Sequence, residues 1–371
     1  MVQRESLRIA FVTDIVTPYM VAVFEALAAR AELVVIFCSL TGTRAMPWST
    51  VELNFEHRIA GGRAIRRSSP DATDFYPNPR VLLALAQSRC NVIISGGFSF
   101  PSLYAAAYRR LAKRRLLIHS DGTAKSEAGI GRGQRLTRVL LSRLADGGVG
   151  NSKQAVRRFE ELRFAPVFEA PHSTVIQPFI AAAQSRAYGS SRQLRLVTAG
   201  RLIPRKGVDR LLRAVARARE GGAAIRLTIV GAGQEEPRLR SLAAQLGLDD
   251  VEWVGFVEQH ELPSFFAQAD AFAFPTLDDP FGIVLLEAAA SGLPLVASPH
   301  GGATEDLVAG RDSGFVVEPD DTDAFAAVLA QLAADPGLRE RMGRAAYAVA
   351  EQRTPANTAD AYIRAAHAVL P

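Results

Sequence analysis

Residues 194–207 read LRLVTAGRLIPRKG, and this stretch decides the fold class of the second half of the chain. Residues 194–199 are mostly apolar and include a β-branched pair, a composition typical of a buried strand. Gly200 then turns the chain, and apolar residues recur at helical spacing from Val208 onward. Because a buried strand, a glycine turn and an amphipathic helix form the repeating unit of parallel α/β sheets, the stretch predicts a doubly wound α/β domain.

The same alternation of apolar strands and amphipathic helices extends along the chain in both directions. In the second half, further strands are predicted at residues 225–230, 251–254, 271–274, 294–297 and 314–317. In the first half, strands are predicted at residues 7–13, 33–38, 91–95 and 116–119. Helices of the first half are predicted at residues 21–30, 79–89, 102–114, 132–144 and 152–162.

The alternation weakens near residue 180. A short strand is predicted at residues 175–178, and residues 181–192, rich in Ala, Ser and Gln, are interpreted as a linker. The sequence therefore predicts two tandem doubly wound domains, residues 1–178 and residues 179–354. Open parallel sheets bind ligands beyond the carboxyl ends of their strands, so functional residues are expected directly after strands.

Length and composition restrict the class of protein. The chain has 371 residues, 48% hydrophobic and 22% charged, which excludes extensive disorder and a small disulfide-stapled module. Its two cysteines, Cys38 and Cys90, lie in or beside apolar segments and are predicted to be buried, reduced thiols. The absence of an apolar signal core and of any run near ~18 apolar residues favours a cytoplasmic protein.

The net charge of +5 is divided unevenly. Residues 1–178 hold 24 Lys and Arg against 14 Asp and Glu, whereas the remaining residues hold 19 against 24. This asymmetry indicates an anionic partner for the first half, with a coding bias toward arginine as the competing explanation. No basic stripe is interleaved with aromatic residues, so nucleic acid is not an expected partner.

The loop that begins at Gly200 has the pattern of a diphosphate site. Arg201 and Lys206 follow a strand and precede a helix, whose free N–H groups favour anions. The two cations suit a diphosphate whose negative charge grows as its bond to a sugar breaks. A solvated basic turn before a helix is the alternative interpretation.

Two further strand ends carry glycines. Gly231, in the Val-Gly-Ala-Gly sequence after the second strand of this half, is as compatible with a tight turn as with ligand contact. Gly255 allows close backbone approach after the third strand, so the segment with Phe256 and Val257 is a candidate to flank a planar base.

Residues 275–288, PTLDDPFGIVLLEA, are the most informative stretch. A helix is predicted from Phe281, with Asp279 as its N-cap and Pro280 in its first turn; for Asp279, a ligand contact is an equal alternative. The free N–H groups of that first turn form the predicted anion site, on Gly282, Ile283 and Val284.

Glu287 lies in the second turn of the same helix, among apolar neighbours. Because an unpaired buried carboxylate is costly, its side chain is expected to be hydrogen-bonded, and a ribose diol is a suitable partner. Neither His300 nor the Asp278-Asp279 pair has neighbours at metal-ligand spacing, so no metal site is predicted.

Together these motifs resemble the family 4 retaining glycosyltransferases. The match is collinear over residues 194–352 and also includes the Ser-Gly-Leu-Pro of residues 291–294 and the glycine pair of residues 301–302. The resemblance implies the GT-B fold, in which two facing Rossmann-like domains enclose a deep interdomain cleft. It also implies sugar transfer without a metal or other cofactor, and a final helix, here within residues 355–371, that returns to the first domain.

Carried over position by position, the resemblance assigns Arg201 and Lys206 to the donor diphosphate as catalytic residues and Glu287 to the ribose. It places residues 282–284 at the phosphate and sugar, with Phe281 as a further donor-binding residue, and residues 255–257 beside the base. Asp279 stands where the family usually has Glu, and its shorter side chain retains the charge but loses reach. The donor implied is a nucleoside diphosphate sugar, with a UDP-sugar favoured.

The first domain matches the family more loosely. Residues 14–19 lack the paired glycines of many members. His119 and Asp121 follow the fourth strand, where relatives place a His or acidic residue beside the donor sugar, and are therefore catalytic candidates. A structural histidine at a strand end is the alternative. Because no local carboxylate pair suits a glycosidase mechanism, same-face transfer to an acceptor hydroxyl is predicted.

The expected acceptor is a carbohydrate, a lipid-linked compound or a small molecule. A basic helix, residues 132–144, predicts either peripheral contact with an anionic membrane or an ordinary solvated face; its cations are Arg132, Arg135, Arg138 and Arg143. Two rival functions stay open. One is a GT-B sugar-nucleotide epimerase, and the other is a non-catalytic two-domain protein that binds a sugar or nucleotide.

Overall fold

The structure is a computed structural model that describes residues 6–40, 52–62, 65, 76–184 and 193–371. The chain divides into two compact units. The first unit comprises residues 1–173 and 355–371, and the second comprises residues 174–354.

The strands of the first unit form one parallel sheet. They are β1 (Arg8–Thr13), β2 (Glu32–Phe37), β3 (His57–Ile59), β4 (Val92–Gly96), β5 (Arg115–Ser120), β6 (Gly147–Gly150) and β7 (Val167–Glu169). Their order in the sheet is β3-β2-β1-β4-β5-β6-β7. The order reverses beside β1, so the carboxyl ends of β1 and β4 lie at the topological switch point where such sheets bind ligands.

Helices cover this sheet. They are α1 (Pro18–Ala28), α2 (Arg80–Ser88), α3 (Phe100–Ala112), α4 (Arg132–Leu144), α5 (Lys153–Glu161) and, from the end of the chain, α14 (Pro355–Val369). The last helix packs against α1 and buries Tyr362 beside Phe11 and Phe24 of the same hydrophobic cluster. An ion pair of 3.1 Å between Arg30 and Asp360 lies at the surface of this contact.

The second unit repeats the design. Its strands are β8 (Leu194–Ala199), β9 (Ile225–Val230), β10 (Glu252–Gly255), β11 (Ala271–Phe274), β12 (Leu295–Ala297) and β13 (Gly314–Val316). They form a parallel sheet in the order β10-β9-β8-β11-β12-β13. Its helices are α6 (Gln177–Gln184), α7 (Val208–Glu220), α8 (Glu236–Gln245), α9 (Leu262–Gln268), α10 (Ile283–Ala290), α11 (Thr304–Leu307), α12 (Thr322–Ala334) and α13 (Pro336–Glu351).

The predicted α/β class is confirmed in both units. The strands at residues 194–199, 225–230 and 271–274 and the helix at residues 132–144 have the predicted bounds. Cys38 and Cys90 are free and buried, as expected. Among the helices of the described ranges, none combines the length and the apolar character that a membrane crossing requires.

Three short strands, β3, β6 and β7, escaped sequence analysis. The sequence of β6 is Gly-Gly-Val-Gly, and its three glycines give it a low strand propensity. Close packing against α5 requires glycine in this strand, because a Cβ at Gly148 would lie 2.4 Å from the ring of Phe159.

The short strand predicted at residues 175–178 is wrong. The chain instead enters α6, and Ile176 and Phe179 are buried in a hydrophobic cluster of the second unit with Phe266. The boundary between the units therefore lies at residues 173–174 rather than at residue 178. The helix also covers the beginning of the predicted linker, whereas residues 185–192 lie outside the described residues.

Candidate functional site

The loops that follow β8, β9 and β10 lie against one another in the second unit. The N–H of Gly231 donates a hydrogen bond of 2.7 Å to the carbonyl of Gly255, and the N–H of Gly200 donates one of 2.9 Å to the carbonyl of Val230. A Cβ at Gly231 would lie 1.9 Å from the carbonyl oxygen of Gly200. The close packing of these loops therefore requires a glycine at position 231, as the tight-turn interpretation expects.

We expect Gly231→Ala to lower the free energy of unfolding by at least about 3 kcal/mol, because its φ of +134° and the close carbonyl both exclude a side chain. Gly247→Ala is the matched control, since Gly247 has a φ of +67° but open space around its Cβ position. The control should lose about 1 kcal/mol. Urea unfolding measures both values, and equal losses would contradict the close-approach explanation.

The predicted diphosphate loop is clamped to the loop after β11. Its residues Pro204–Lys206 form a single 3₁₀ turn. The carbonyl of Arg205 accepts hydrogen bonds from the N–H of Leu277 at 2.7 Å and from the hydroxyl of Thr276 at 3.0 Å. The turn therefore holds Lys206 in a fixed place at the carboxyl edge of the sheet, and Arg201, at the start of the loop, is partly buried.

Lys206 forms an ion pair with Asp279, and both side chains are largely buried. The Lys206 ammonium also lies 5.7 Å from the centre of the Phe274 ring, where its charge is stabilised by the ring face. A Cβ at Gly282 would lie 2.3 Å from Cζ of the same ring. The ammonium of Lys206 and the start of α10 are therefore neighbours of one aromatic ring.

The prediction that Asp279 caps the helix is wrong. Helix α10 begins at Ile283 with Gly282 as its N-cap, so Asp279 lies three residues before the cap position. Its backbone instead joins the loop after β12: its N–H donates to the carbonyl of His300 at 3.2 Å, and its carbonyl accepts from Gly302 at 2.9 Å. The carboxylate of Asp279 pairs instead with the ammonium of Lys206.

The side chain of Phe281, a predicted donor-binding residue, belongs to the core of the second unit. Its ring is only 4% exposed and packs in the hydrophobic cluster beneath the loops. The N–H groups of the next residues, Gly282, Ile283 and Val284, have no carbonyl one turn earlier within the helix to accept their hydrogen bonds. The helix begins two residues later than predicted, and the anion site on these N–H groups stays a prediction.

Glu287 is 3% exposed, and the amide of Gln259 donates a hydrogen bond of 2.7 Å to its Oε1. The expected hydrogen bond is therefore present. Burial raises the pKa of Glu287 from 4.5 to about 7, although the hydrogen bond from Gln259 lowers it. Gln259 was missed by sequence analysis because it lies in a polar loop after β10 with no distinguishing pattern.

The candidate base-flanking segment is partly open. Phe256 directly follows β10 and its side chain is 49% exposed, which is unusual for an aromatic residue. Val257 packs against a hydrophobic cluster of the same unit. Phe256 is thus free of the core and lies at the same sheet edge as the diphosphate loop.

In the first unit, His119 occupies the end of β5. Its Nδ1 lies 2.8 Å from the hydroxyl of Tyr362 on α14, and its ring packs edge-on against Phe11. Burial lowers the pKa of His119 to about 4, the charge of His172 lowers it further, and Asp121 opposes both. Asp121 itself is exposed just beyond the strand.

Asp14, which follows β1, is a buried carboxyl that sequence analysis treated only as part of a loop. Burial raises its pKa from 3.8 to about 6, although a hydrogen bond with the thiol of Cys38 lowers it. Helix α1 begins four residues later, at Pro18, with Thr17 as its N-cap. Within the described ranges, no group of three or more His, Cys, Asp or Glu side chains is arranged to hold a metal ion.

Comparisons with known proteins identify the family of the chain. The family model "Glycosyl transferases group 1" matches residues 183–349. A Mycobacterium tuberculosis protein named GDP-mannose-dependent alpha-(1-6)-phosphatidylinositol monomannoside mannosyltransferase is 32% identical over 314 residues, which are 78% of each chain. The chain belongs to the group 1 glycosyl transferases.

Other members of the family match over shorter segments. The protein of the same name from Mycolicibacterium smegmatis is 34% identical over 63% of this chain and 65% of its own. The D-inositol 3-phosphate glycosyltransferase of Streptomyces avermitilis is 38% identical over 51% of this chain and 43% of its own. The match thus spans less than two thirds of the length of these two glycosyl transferases.

Solved structures of the same fold cover nearly the whole chain. Anabaena Alr3699/HepE in complex with UDP has a TM-score of 0.77 at 20% identity, covering 98% of this chain and 100% of its own. Sucrose-phosphate synthase from Thermosynechococcus elongatus has a TM-score of 0.76 at 18% identity, covering 98% and 99%. At such identities the likeness shows the fold, which agrees with the two Rossmann-like sheets.

Proposed function

We propose that this group 1 glycosyl transferase moves a sugar from a nucleoside diphosphate sugar to an acceptor hydroxyl, with retention at the anomeric carbon. The observation that carries the proposal is the pairing of a fixed Lys206 ammonium with the N-terminus of α10 around the ring of Phe274. Both are positive, so together they suit the charge that develops on a departing diphosphate.

In the proposed reaction, the acceptor oxygen forms a bond to the anomeric carbon on the face from which the diphosphate leaves. The bond between that carbon and the diphosphate oxygen breaks, and the proton of the acceptor hydroxyl passes to the departing diphosphate. Arg201, Lys206 and the amides of residues 282–284 stabilise the leaving group, and Glu287 holds the ribose. No metal takes part in this proposal, and turnover retained after EDTA treatment would support that point.

The donor nucleotide is the first property to test. The UDP preference rested on the family resemblance alone, whereas the mycobacterial relatives at 32% and 34% identity are named for GDP-mannose. We therefore propose GDP-mannose as the first donor and UDP-glucose as the second. Both donors contain a diphosphate, so the diphosphate loop cannot distinguish them. We therefore propose that the segment of Phe256 and Val257 selects the base.

Thermal unfolding against GDP, UDP, ADP and TDP tests the donor site directly. We expect one diphosphate to stabilise the protein by about 2.7 kcal/mol when present at 100 times its dissociation constant. Lys206→Ala should remove that stabilisation, while Arg213→Ala, on the surface of α7, should keep it. No stabilisation by any of the four nucleotides at millimolar concentration would contradict the proposal.

We propose a phosphate-bearing acceptor. The first half of the sequence is basic. Residues 1–178 contain 24 Lys and Arg against 14 Asp and Glu. The named relatives act on phosphatidylinositol monomannoside or inositol 3-phosphate, both of which carry a phosphate. Proton NMR of the product made with such an acceptor also reports whether the anomeric configuration is retained.

Helix α4 carries the features expected of a face that contacts an anionic membrane. Leu136, Val139 and Leu140 are exposed large apolar residues, and Leu136 is 68% exposed. Exposed arginines flank them, and residues 132–144 contain no acidic side chain. Arg138 does not belong to this face, because it is buried in an ion pair of 2.6 Å with Glu127.

We expect wild-type protein to float with vesicles that contain phosphatidylglycerol and to be released by salt. The double variant Leu136→Glu/Leu140→Glu should reduce the bound fraction at least tenfold, since each leucine contributes about 1.5–3 kcal/mol when buried. Leu83→Glu, an exposed leucine of α2, is the matched control. Flotation that is absent, or indifferent to anionic lipid, would contradict the membrane face.

The rival functions predict different products. A sugar-nucleotide epimerase would interconvert two nucleotide sugars without an acceptor, and a binding protein would leave the donor unchanged. Release of the nucleoside diphosphate that requires an acceptor is expected only of a transferase. The Lys206 and Asp279 ion pair favours the transferase, since a binding protein has no need to stabilise a leaving group.

A further inference from the structure

A buried hydrogen-bond chain connects the last helix of the first unit to His119. The amide nitrogen of Asn151, at the end of β6, lies 2.9 Å from the carbonyl of Ala170 and 3.2 Å from the hydroxyl of Tyr362. The Tyr362 hydroxyl lies 2.8 Å from Nδ1 of His119. Tyr362 is fully buried, and Asn151 is almost so.

The carbonyl of Ala170 determines the direction of each hydrogen bond in this series. A carbonyl only accepts, so the Asn151 amide must present its NH₂ group to Ala170, and the second hydrogen of that group points to Tyr362. Turning the amide over would place its oxygen against the carbonyl oxygen of Ala170. The Tyr362 oxygen therefore accepts from Asn151.

The remaining hydrogen of Tyr362 has one acceptor within reach. Asn151 and His119 are the hydrogen-bond partners of its hydroxyl in the described part of the chain, and Asn151 already donates to it. The Tyr362 O–H thus donates to Nδ1 of His119. An Nδ1 that accepts a hydrogen bond carries no proton, so the proton of the neutral imidazole lies on Nε2.

We propose that Tyr362 is a positioning residue that holds His119 as the Nε2–H tautomer, so that His119 offers its ligand a hydrogen-bond donor and not a base. This inference rests on the proposed function for its ligand, which is an oxygen of the sugar or phosphate. Nε2 makes no hydrogen bond within the described residues, and His119 is partly exposed at the carboxyl edge of the sheet.

The surroundings keep the ring neutral. The groups that face His119 are the ring of Phe11, the phenol of Tyr362, the imidazole of His172 and the carboxylate of Asp121. Burial is the largest cause of the lowered pKa of His119, and His172 adds to it, while Asp121 opposes them. A neutral ring with a fixed proton suits a donor that must be oriented before the ligand arrives.

Nitrogen NMR of the imidazole rings tests the tautomer without any substrate. The chain has six histidines, so labelling their ring nitrogens gives few signals, and the His119→Gln variant identifies those of His119. We expect the wild-type protein at neutral pH to show the proton of His119 on Nε2. A proton on Nδ1, or a charged ring at neutral pH, would overturn the proposal whatever the protein catalyses.

Tyr362→Phe removes one oxygen and leaves the ring in its packing. We expect the His119 signals to shift toward a mixture of the two tautomers, while Tyr347→Phe on α13 leaves them unchanged. Unchanged His119 signals in Tyr362→Phe would show that Tyr362 does not set the tautomer. If Tyr362→Phe fails to fold, the wild-type spectrum alone still decides which nitrogen holds the proton.

Measurements of turnover then distinguish a hydrogen-bond donor from a base at position 119. With GDP-mannose and UDP-glucose as probes, Tyr362→Phe should lower kcat about 2- to 10-fold with little change in KM. His119→Gln keeps an N–H donor and should retain more activity than His119→Glu, which at neutral pH only accepts. The opposite order would identify His119 as a base and overturn the proposal, whereas absence of turnover in the wild type would count against the proposed function alone.

Discussion

Replacing Lys206 with alanine is expected to lower the rate of sugar transfer about 10²- to 10³-fold, the loss typical of a missing charge-stabilising group. The ammonium is held by Asp279 and by the face of Phe274, beside the first turn of α10. It is therefore already in place for the negative charge that the proposed mechanism develops on the leaving diphosphate. Steady-state release of the nucleoside diphosphate measures the loss, and Arg201→Ala should change the rate in the same direction.

The Lys206→Ala variant also leaves Asp279 without its partner in a largely buried place, which lowers stability by itself. The double variant Lys206→Ala/Asp279→Ala removes that penalty. We expect it to recover stability but not activity. Arg213→Ala is the control for the loss of a cation from the same unit, and near-wild-type turnover in Lys206→Ala would exclude the diphosphate role.

Replacing Glu287 with glutamine is expected to stabilise the unliganded protein at pH 8 and, at the same time, to weaken donor binding. Burial raises the pKa of Glu287 from 4.5 to about 7. Between those values the folded protein binds a proton that the unfolded chain has lost, so stability falls as the pH rises through this window. The slope approaches about 1.4 kcal/mol per pH unit, and glutamine abolishes it.

In the proposed site, the same substitution removes the charged acceptor for the ribose hydroxyls. We expect donor affinity to fall about 10- to 100-fold at pH 8, the range of a hydrogen bond to a charged group. Wild-type affinity should rise from pH 6 to pH 8 as Glu287 ionises. Calorimetric titration with the nucleoside diphosphate and thermal unfolding at each pH provide the two measurements.

Glu340→Gln is the matched control for Glu287→Gln, because Glu340 is an exposed carboxylate paired with Arg344 on α13. Its variant should keep the pH slope of the wild type. Parallel slopes in wild type and Glu287→Gln would mean that Glu287 is ionised in the folded protein throughout this range, contrary to the raised pKa.

The sequence predicted well those elements whose residues agree with their surroundings. Strand Leu194–Ala199 is apolar because it is buried in a sheet covered by helices, and helix Arg132–Leu144 has apolar residues at helical spacing. Strand Gly147–Gly150 was missed because its residues were selected for close approach by Phe159 and α5 rather than for strand propensity. Tertiary contact overrides local preference at such places.

Site residues divide in the same manner. Arg201, Lys206 and Glu287 are candidates from sequence because their residue types stand out directly after strands or within an apolar helix. Gln259 was missed because an amide in a polar loop has no pattern. For Asp279 the helix-cap alternative was wrong, and its pairing with Lys206, 73 residues away in the chain, had no sequence signal.

By itself the sequence determined the class of fold, the glycine turns after the strands and the residue types of the proposed donor site, because these depend on local periodicity and composition. The tertiary structure alone decided how these groups are paired: Asp279 with Lys206, Gln259 with Glu287, and Tyr362 with His119 across 243 residues. The physical reason is that a charge or a proton is fixed by whatever lies within about 3 Å of it, and such neighbours come from distant segments of the chain.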